Sequence, residues 1–248
     1  MERKKLLFTY LVGALGQIFL VCIGVWILRN NGIQIDYTSW QGMLAIAAGG
    51  SASALWGIIV SIKFRNDSVK KIIVQFFNVK KNYKCYALVS LYLLLNFGGA
   101  FFGGKLQIMY WYTPILLFFS ALLFGGIEEI GWRYTFQPVL EEKLNFVIST
   151  IITAFCWGVW HFMYFYIDGT IHQVKIVPFL FGLLVNSFVL ASLFKISHSL
   201  WMCAMTHAWI NVFSQTIVGE NQCISLFLKI FIIVLAIMVS EKSKRIEK

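Results

Sequence analysis

The chain has 248 residues, of which 59% are hydrophobic and 13% are charged. Soluble domains average about 45–50% apolar and about 25% charged residues, so a water-soluble globular domain is excluded because its interior could not hold so much apolar surface. A disordered chain is excluded as well, since such chains are polar and cannot bury enough apolar surface to fold. The composition therefore predicts an integral membrane protein.

The formal net charge of +10 does not indicate nucleic-acid binding, because the Lys and Arg residues fall between long apolar runs and not along one folded face. The five cysteines are odd in number and show no C-x-x-C spacing. They predict neither a disulfide framework nor a cysteine metal site. Membrane lipid is therefore the expected surrounding partner, and nucleic acid is not.

Taken in chain order, the apolar runs predict an all-α polytopic bundle. A membrane-spanning helix needs about 20 mainly apolar residues. About eight transmembrane helices satisfy this length: 6–28, 41–62, 86–102, 114–137, 146–167, 176–195, 199–218 and 223–240. The first is expected to be a retained span and not a cleaved signal peptide. Pro138 is expected to close the fourth span. No domain boundary is evident, so residues 1–248 are expected to form a single integral-membrane domain.

The distribution of basic residues predicts the orientation of the bundle. If the N-terminus lies inside, 16 of the 21 Lys and Arg residues fall in cytoplasmic segments, four of them at the C-terminal end, and three fall in outer segments. This imbalance follows the positive-inside rule and predicts cytoplasmic termini in a multi-pass protein of the cell membrane. The basic segment 63–85 is compatible with a short amphipathic helix at the inner interface or with a solvated loop.

The fourth span carries charged residues where lipid is expected. A charged side chain at the centre of a spanning helix costs about 2.5–3.5 kcal/mol on insertion scales, yet this span contains Glu128, Glu129 and Arg133. Glu129 and Arg133 are four residues apart and are expected to pair. Glu128 projects about 100° away around the helix. A purely structural ion pair would leave it without a partner, so both carboxylates are candidate functional groups.

The fifth and seventh spans add His161 and the pair His207 and Asn211. Alone, His161 could be a satisfied core residue, and the pair could be interhelical hydrogen-bonding groups. His207 and Asn211 are four residues apart and therefore project from one face. With a rise of about 1.5 Å per residue, Glu128, His161 and His207 differ in depth by roughly 10 Å, so these polar groups are expected to line one buried chamber.

These motifs, E-E-x-x-x-R, aromatic-x-x-x-H and H-x-x-x-N on successive apolar segments, resemble the CPBP family of intramembrane proteases, also called the CAAX-protease and bacteriocin-processing or Abi family. The resemblance covers roughly residues 113–218, which would form the catalytic core. Two residues depart from the family pattern. Trp157 begins the second motif where the family usually has Phe, and Tyr134 follows the motif arginine where Gly is common, which could alter local packing and the mouth of the site.

The resemblance implies hydrolysis of a peptide bond within or at the edge of the membrane. By resemblance, Glu128 with His161 would activate a water, and His207 with Asn211 would stabilise the oxyanion. Arg133 would hold the second glutamate of the first motif. This division of roles is chemically sound, because attack by water on an amide needs a base near the water and donors directed at the new negative charge.

The sequence leaves the cofactor and the substrate open. There is either no cofactor or a divalent metal such as zinc, whose ligands would be Glu128, His161 and His207. Because the spacing is not H-E-x-x-H and Asn is a poor zinc ligand, a metal-free glutamate mechanism is favoured. The substrate would be a peptide or protein at the membrane, either a prenylated protein or a peptide precursor.

Two functions of other classes compete with the protease hypothesis. One is a non-enzymatic immunity or scaffold protein that binds a membrane-active peptide such as a bacteriocin. The other is a small proton-coupled transporter, since intramembrane carboxylates also serve transporters. No inverted repeat in the sequence favours the transporter.

Overall fold

The computed structural model describes the backbone of residues 2–246 and the side chains of residues 2–242. The side chains of Lys244, Arg245 and Lys248, three of the four basic residues at the C-terminal end, lie outside the described part. Eleven α-helices occur in this range: α1 (Glu2–Asn30), α2 (Trp40–Gly50), α3 (Ala52–Arg65), α4 (Val69–Phe76), α5 (Tyr83–Asn96), α6 (Thr113–Ala121), α7 (Gln137–Glu141), α8 (Phe146–Asp168), α9 (Ile176–Ser197), α10 (Leu200–Thr216) and α11 (Gln222–Ile246).

Shorter elements complete the chain between residues 2 and 246. Two stretches, Leu122–Gly126 and Ile130–Phe136, have π-helical geometry, and Gly98–Phe101 and Ile171–Gln173 are 3₁₀ turns. A two-stranded antiparallel ladder joins β1 (Lys105–Leu106) to β2 (Ile217–Val218), with Lys105 opposite Val218. The predicted all-α class is therefore confirmed apart from this short ladder, which ties the segment after α5 to the end of α10.

Five helical stretches of the described chain are long and apolar enough to cross a membrane: Glu2–Asn30, Trp40–Arg65, Phe146–Asp168, Ile176–Ser197 and Gln222–Lys242. The bent pair Thr113–Gly126 and Ile130–Glu141, with an angle of 47° between its halves, makes a sixth. These match six of the eight predicted spans, and the chain is a multi-pass membrane protein.

The predicted spans 86–102 and 199–218 coincide with α5 and α10, which have 14 and 17 residues. Both helices are shorter than the roughly 20 residues that a straight span needs. The total of eight spans and the cytoplasmic location of the termini therefore stay predictions.

The basic segment after the second span contains a helix. In α4, Ile72 and Phe76 are buried while the Lys residues of its first turn face outward. Ser68 caps the helix by accepting a hydrogen bond from the Lys71 backbone N–H at 3.1 Å. Of the two interpretations of segment 63–85, the amphipathic helix is confirmed for Val69–Phe76.

The bent span does not end at Pro138, which corrects the expected boundary. Pro138 lies in the first turn of α7, directly after the π-helical stretch, and the helix runs on to Glu141. Proline in a helix interior is costly because it donates no N–H and crowds the carbonyl four residues earlier. Here that carbonyl belongs to Tyr134 and accepts a hydrogen bond from Nη1 of Arg65 at 2.5 Å. The side chain from α3 therefore satisfies the group that Pro138 leaves unpaired.

Close helix contact fixes the bent span against α1 and α3. A Cβ atom on Gly131 would lie 2.2 Å from Oγ of Ser53 and 2.3 Å from the hydroxyl of Tyr10. Only glycine fits at this crossing. Tyr10 and Ser53 are hydrogen-bonded to each other at 2.9 Å, and Oγ of Ser53 donates to the backbone carbonyl of Glu128 at 3.2 Å. The packing of α1 and α3 thus fixes the backbone at the bend.

The loop between α1 and α2 closes one end of the bundle. The Arg29 guanidinium donates to the backbone carbonyls of Ile35, Tyr166 and Ile167 and thereby joins α1 to the end of α8. In the same loop, hydrogen bonds from the Thr38 and Gln34 side chains lower the pKa of Asp36 to about 2. The hydrogen bonds of Arg29 therefore hold α8, and the site residues on it, in a fixed position relative to α1.

Candidate active site

The second glutamate of the first motif is the centre of a buried polar cluster. Glu129 and Arg133 are both fully buried, and Nη1 of Arg133 lies 3.3 Å from Oε1 of Glu129, which confirms the predicted pair. Oε1 of Glu129 also lies 2.7 Å from Nδ1 of His207. A carboxylate beside a guanidinium can only accept, so Nδ1 of His207 carries the hydrogen. Glu129 therefore fixes the orientation of His207 and leaves Nε2 of that ring pointing away from the pair.

The guanidinium of Arg133 is held on two further sides. Its Nη2 donates to Oγ of Ser187 on α9 at 3.1 Å. Its central carbon lies 4.2 Å from the ring centroid of Trp157 on α8, within the range of a cation–π contact. Three helices thus surround a charge that would be costly in lipid.

The first glutamate is held by a different helix. Glu128 is 5% exposed, and its Oε2 accepts a hydrogen bond from the indole Nε1–H of Trp157 at 2.7 Å. The backbone carbonyl of the same tryptophan lies 2.9 Å from Nδ1 of His161. Because a carbonyl only accepts, Nδ1 of His161 is protonated, and in the neutral ring the lone pair is on Nε2. Trp157 thus orients the carboxylate with its side chain and the imidazole with its main chain.

The other candidate side chains meet beside Gly125. A Cβ atom on Gly125 would lie 2.6 Å from Nδ2 of Asn211 and 3.1 Å from Nε2 of His207. Both nitrogens therefore lie so close to this backbone position that any side chain here would crowd them. Gly125 thus lets the polar ends of His207 and Asn211 approach the same point of the bent span.

The charged side chains of this cluster lie beside oppositely charged or hydrogen-bonding partners. Glu129 faces Arg133 and His207, and Glu128 accepts from Trp157. A buried cluster of this kind is tolerated when each ion is paired and hydrogen-bonded.

The three side chains expected as metal ligands are not grouped in the described structure. No group of three or more His, Cys, Asp and Glu side chains within residues 2–242 is arranged to hold a metal ion. One nitrogen of each of the two histidines is hydrogen-bonded within the protein.

The structure thus brings together the three predicted motifs. Glu129, Arg133 and His207 are in direct contact, whereas Glu128 and His161 are linked through Trp157. Sequence reasoning had treated that tryptophan only as an aromatic replacement for Phe. The signal it missed was the indole N–H, a donor that Phe lacks.

Further supporting residues had no signal in the sequence. Ser187 and Ser53 are ordinary serines in apolar helices, and their roles depend on how the helices pack. Tyr134 does not lie at the mouth of the site: its hydroxyl donates to Asp67 at 3.0 Å, at the turn between α3 and α4. The replacement of Gly by Tyr therefore changes the packing at that turn and not the chamber.

The fold and the site together define a multi-pass membrane protein with a paired ionic cluster inside its helical bundle. Residues 109–213 match the family model described as type II CAAX prenyl endopeptidase Rce1-like. Through this segment the chain is similar to the Rce1-like CAAX prenyl endopeptidase family, the resemblance that the three motifs had indicated.

One curated relative is similar over a longer stretch. The chain is 28% identical over 165 residues to "CAAX prenyl protease 2" of Methanococcus maripaludis. The match covers 58% of this chain and 60% of the relative, so the chain spans about three fifths of the curated relative's length. Neither comparison supports the bacteriocin-immunity interpretation.

Proposed function

We propose that this protein is an intramembrane endopeptidase that hydrolyses a peptide bond of a membrane-associated substrate. The observation that carries the proposal is the paired cluster of Glu129, Arg133 and His207 beside the separately held carboxylate of Glu128, all within the segment that matches the family. An ion pair that served packing alone would not need a second carboxylate, since burying one is costly.

In the proposed reaction Glu128 is the general base. Its Oε2 is held by the indole of Trp157, so Oε1 accepts a proton from the attacking water. The lone pair on Nε2 of His161 accepts a hydrogen bond from the second hydrogen of that water. The water oxygen bonds to the carbonyl carbon, and Glu128 returns its proton to the leaving nitrogen as the C–N bond breaks.

The negative charge that develops on the carbonyl oxygen is stabilised beside Gly125. Nδ2 of Asn211 and the Nε2–H of His207 are the two donors. In this proposal His207 is doubly protonated, Glu129 accepts the hydrogen bond from its Nδ1, and Arg133 holds Glu129 in place. Donors fixed before the reaction stabilise the transition state without reorganisation, which is the main source of such catalysis.

The substrate class follows from the names of the family and of the relative. Both are CAAX prenyl proteases by description, so we propose a prenylated protein with a C-terminal CAAX sequence as the substrate. A processed peptide precursor is the alternative outcome of the test.

The test compares new peptide termini in membranes that contain wild-type protein or Glu128→Gln at matched levels. Glu220→Gln is the matched control, because this exposed residue pairs with Lys229 at the surface. We expect termini at prenylated CAAX carriers with wild type and with Glu220→Gln, and none with Glu128→Gln. Termini of a secreted peptide precursor would reassign the substrate, and cleavage by a folded Glu128→Gln variant would refute the mechanism.

A further inference from the structure

A basic surface is formed by residues 63–84, from the end of α3 to the start of α5. This segment carries seven Lys and Arg residues and a single acidic residue, Asp67. Six of the seven cations are exposed, whereas Asp67 is 5% exposed. The charge distribution of the chain predicts that the segment is cytoplasmic. A positive surface on that side faces the anionic headgroups of the inner leaflet.

An apolar row on α4 runs along this basic surface. Val69, Ile73 and Phe77, the last of which directly follows α4, are exposed, and their spacing of four places them on one face. Ile72 and Phe76 occupy a neighbouring face and are buried against the bundle. Thus α4 packs on the protein with one apolar face and leaves a second exposed beside its lysines.

Cations beside an exposed apolar row fit an anionic phospholipid better than a soluble anion. Phosphate oxygens of the headgroup accept charge-assisted hydrogen bonds from Lys and Arg. Apolar side chains of an interfacial helix enter the boundary between headgroups and acyl chains. A soluble anion would satisfy the cations but would leave the apolar row in water.

The basic surface is joined to the first motif through Tyr134, the residue that follows Arg133. The Tyr134 hydroxyl donates to Oδ2 of Asp67 at 3.0 Å, and Nζ of Lys71 lies 2.5 Å from Oδ1 of the same carboxylate. The central carbon of the Arg65 guanidinium lies 4.7 Å from the centroid of the Tyr134 ring. The Lys71 side chain is 57% exposed. A headgroup that binds this lysine is therefore two hydrogen bonds away from a residue that adjoins the ionic cluster.

We propose that the basic surface binds anionic phospholipid, and that this contact keeps α4 and Tyr134 in the positions that support the ionic cluster. The cations of the surface repel one another, and an anionic headgroup among them reduces the repulsion. Bound lipid therefore favours the docked position of α4, in which Asp67 accepts from Tyr134. The second part of the proposal rests on the proposed hydrolase function, because its effect is measured as turnover.

Lipid binding can be measured without a substrate. Traces of spin-labelled phosphatidylglycerol or phosphatidylcholine are added to phosphatidylcholine vesicles that contain the protein, and the motionally restricted fraction gives the relative association of each lipid. We expect phosphatidylglycerol to associate several-fold more strongly with the wild type, and we expect added salt to weaken this preference.

Two double variants locate the binding surface. Lys70→Gln with Lys80→Gln removes two exposed cations of the basic surface and should reduce the preference for phosphatidylglycerol. Lys105→Gln with Lys175→Gln makes the same charge change at exposed positions outside it and should not. Equal association of the two lipids with the wild type would overturn the proposal. An unchanged preference in the first double variant would overturn the assigned location.

The coupling to the site is tested by comparing turnover in an equimolar mixture of phosphatidylcholine and phosphatidylglycerol with turnover in phosphatidylcholine alone. We expect the mixture to raise turnover several-fold for the wild type and to have little effect on Tyr134→Phe, which loses only the hydroxyl that donates to Asp67. Tyr92→Phe is the matched control, because its buried hydroxyl is bonded to Ser192 between α5 and α9 at 2.9 Å.

A hydroxyl with a merely structural role would change turnover in both lipids and leave their ratio as in the wild type, which is the result expected for Tyr92→Phe. A wild-type ratio in Tyr134→Phe would overturn the coupling. Failure of the hydrolase proposal is distinguishable, because the wild type would then cleave nothing and still prefer phosphatidylglycerol.

Discussion

Replacing Trp157 with Phe isolates the hydrogen bond that orients the first glutamate. The substitution keeps an aromatic ring against Arg133 and His207 and removes the Nε1–H that Glu128 accepts at 2.7 Å. Phe is also the usual residue of the resembling family at this position, so the variant is expected to fold. The backbone carbonyl that accepts from His161 is unaffected.

The expected magnitude follows from the charge on the acceptor. Hydrogen bonds to ionised groups contribute about 1.5–3 kcal/mol. This bond holds the carboxylate in the orientation in which Oε1 faces the water; if losing that orientation costs the same free energy, at about 1.36 kcal/mol per tenfold change in rate, kcat falls by roughly 10- to 150-fold. Trp157 is 1% exposed and does not line an open surface. KM for the substrate is therefore expected to change little.

Trp160→Phe is the matched control on the same helix. Trp160 is also 1% exposed and contacts the ring of His161, but its Nε1 has no hydrogen-bond partner. Both variants lose the same atoms and leave similar cavities. Equal kcat values for the two would refute the argument, because the effect would then arise from packing. In ¹⁵N-indole spectra, the Trp157 signal should also shift in Glu128→Gln, whereas that of Trp160 should not.

Two further substitutions test the supports of the site. Arg133→Met leaves Glu129 buried without its cation, so the free energy of unfolding in mixed micelles should fall by about 3–5 kcal/mol. Adding Glu129→Gln to the same chain should restore part of the lost stability. If the double variant is no more stable than Arg133→Met, the ion-pair argument is wrong. Gly131→Ala places a methyl group 2.2 Å from Oγ of Ser53 and should cost about 1–3 kcal/mol in the same assay. Gly16→Ala, where a Cβ meets nothing within 4 Å, is the control and should be neutral or stabilising. Equal effects of the two glycine substitutions would rule out a steric cause.

Local features of the site were predictable from the sequence. The Glu129–Arg133 pair depends only on a spacing of four along one helix, and the shared face of His207 and Asn211 follows from the same geometry. The bond between Glu128 and Trp157 was not predictable, because it depends on the rotation of α8 relative to the bent span. The spacing of residues within one helix gives no information about how that helix is rotated relative to another.

The backbone near the site also differed from the expectation for a physical reason. A proline that follows a helical segment normally ends the helix, but at Pro138 the π-helical stretch before it and the guanidinium of Arg65 allow the helix to continue. Likewise, α5 and α10 are shorter than their apolar runs because the turn at Gly98–Phe101 and the strand β2 use the remaining residues. A hydropathy profile gives no information about such contacts between residues that are distant in the sequence.

The bent span also constrains the order in which the protein can be assembled. During synthesis this span reaches the bilayer with three charged side chains, each of which costs about 2.5–3.5 kcal/mol near the centre of a helix. Glu129 and Arg133 can pair at once because they lie on the same helix. Glu128 obtains its donor only when α8 arrives, and Glu129 its second partner only with α10. Stable membrane integration of the bent span therefore depends on helices translated after it, so the step that completes the site also retains the span in the bilayer.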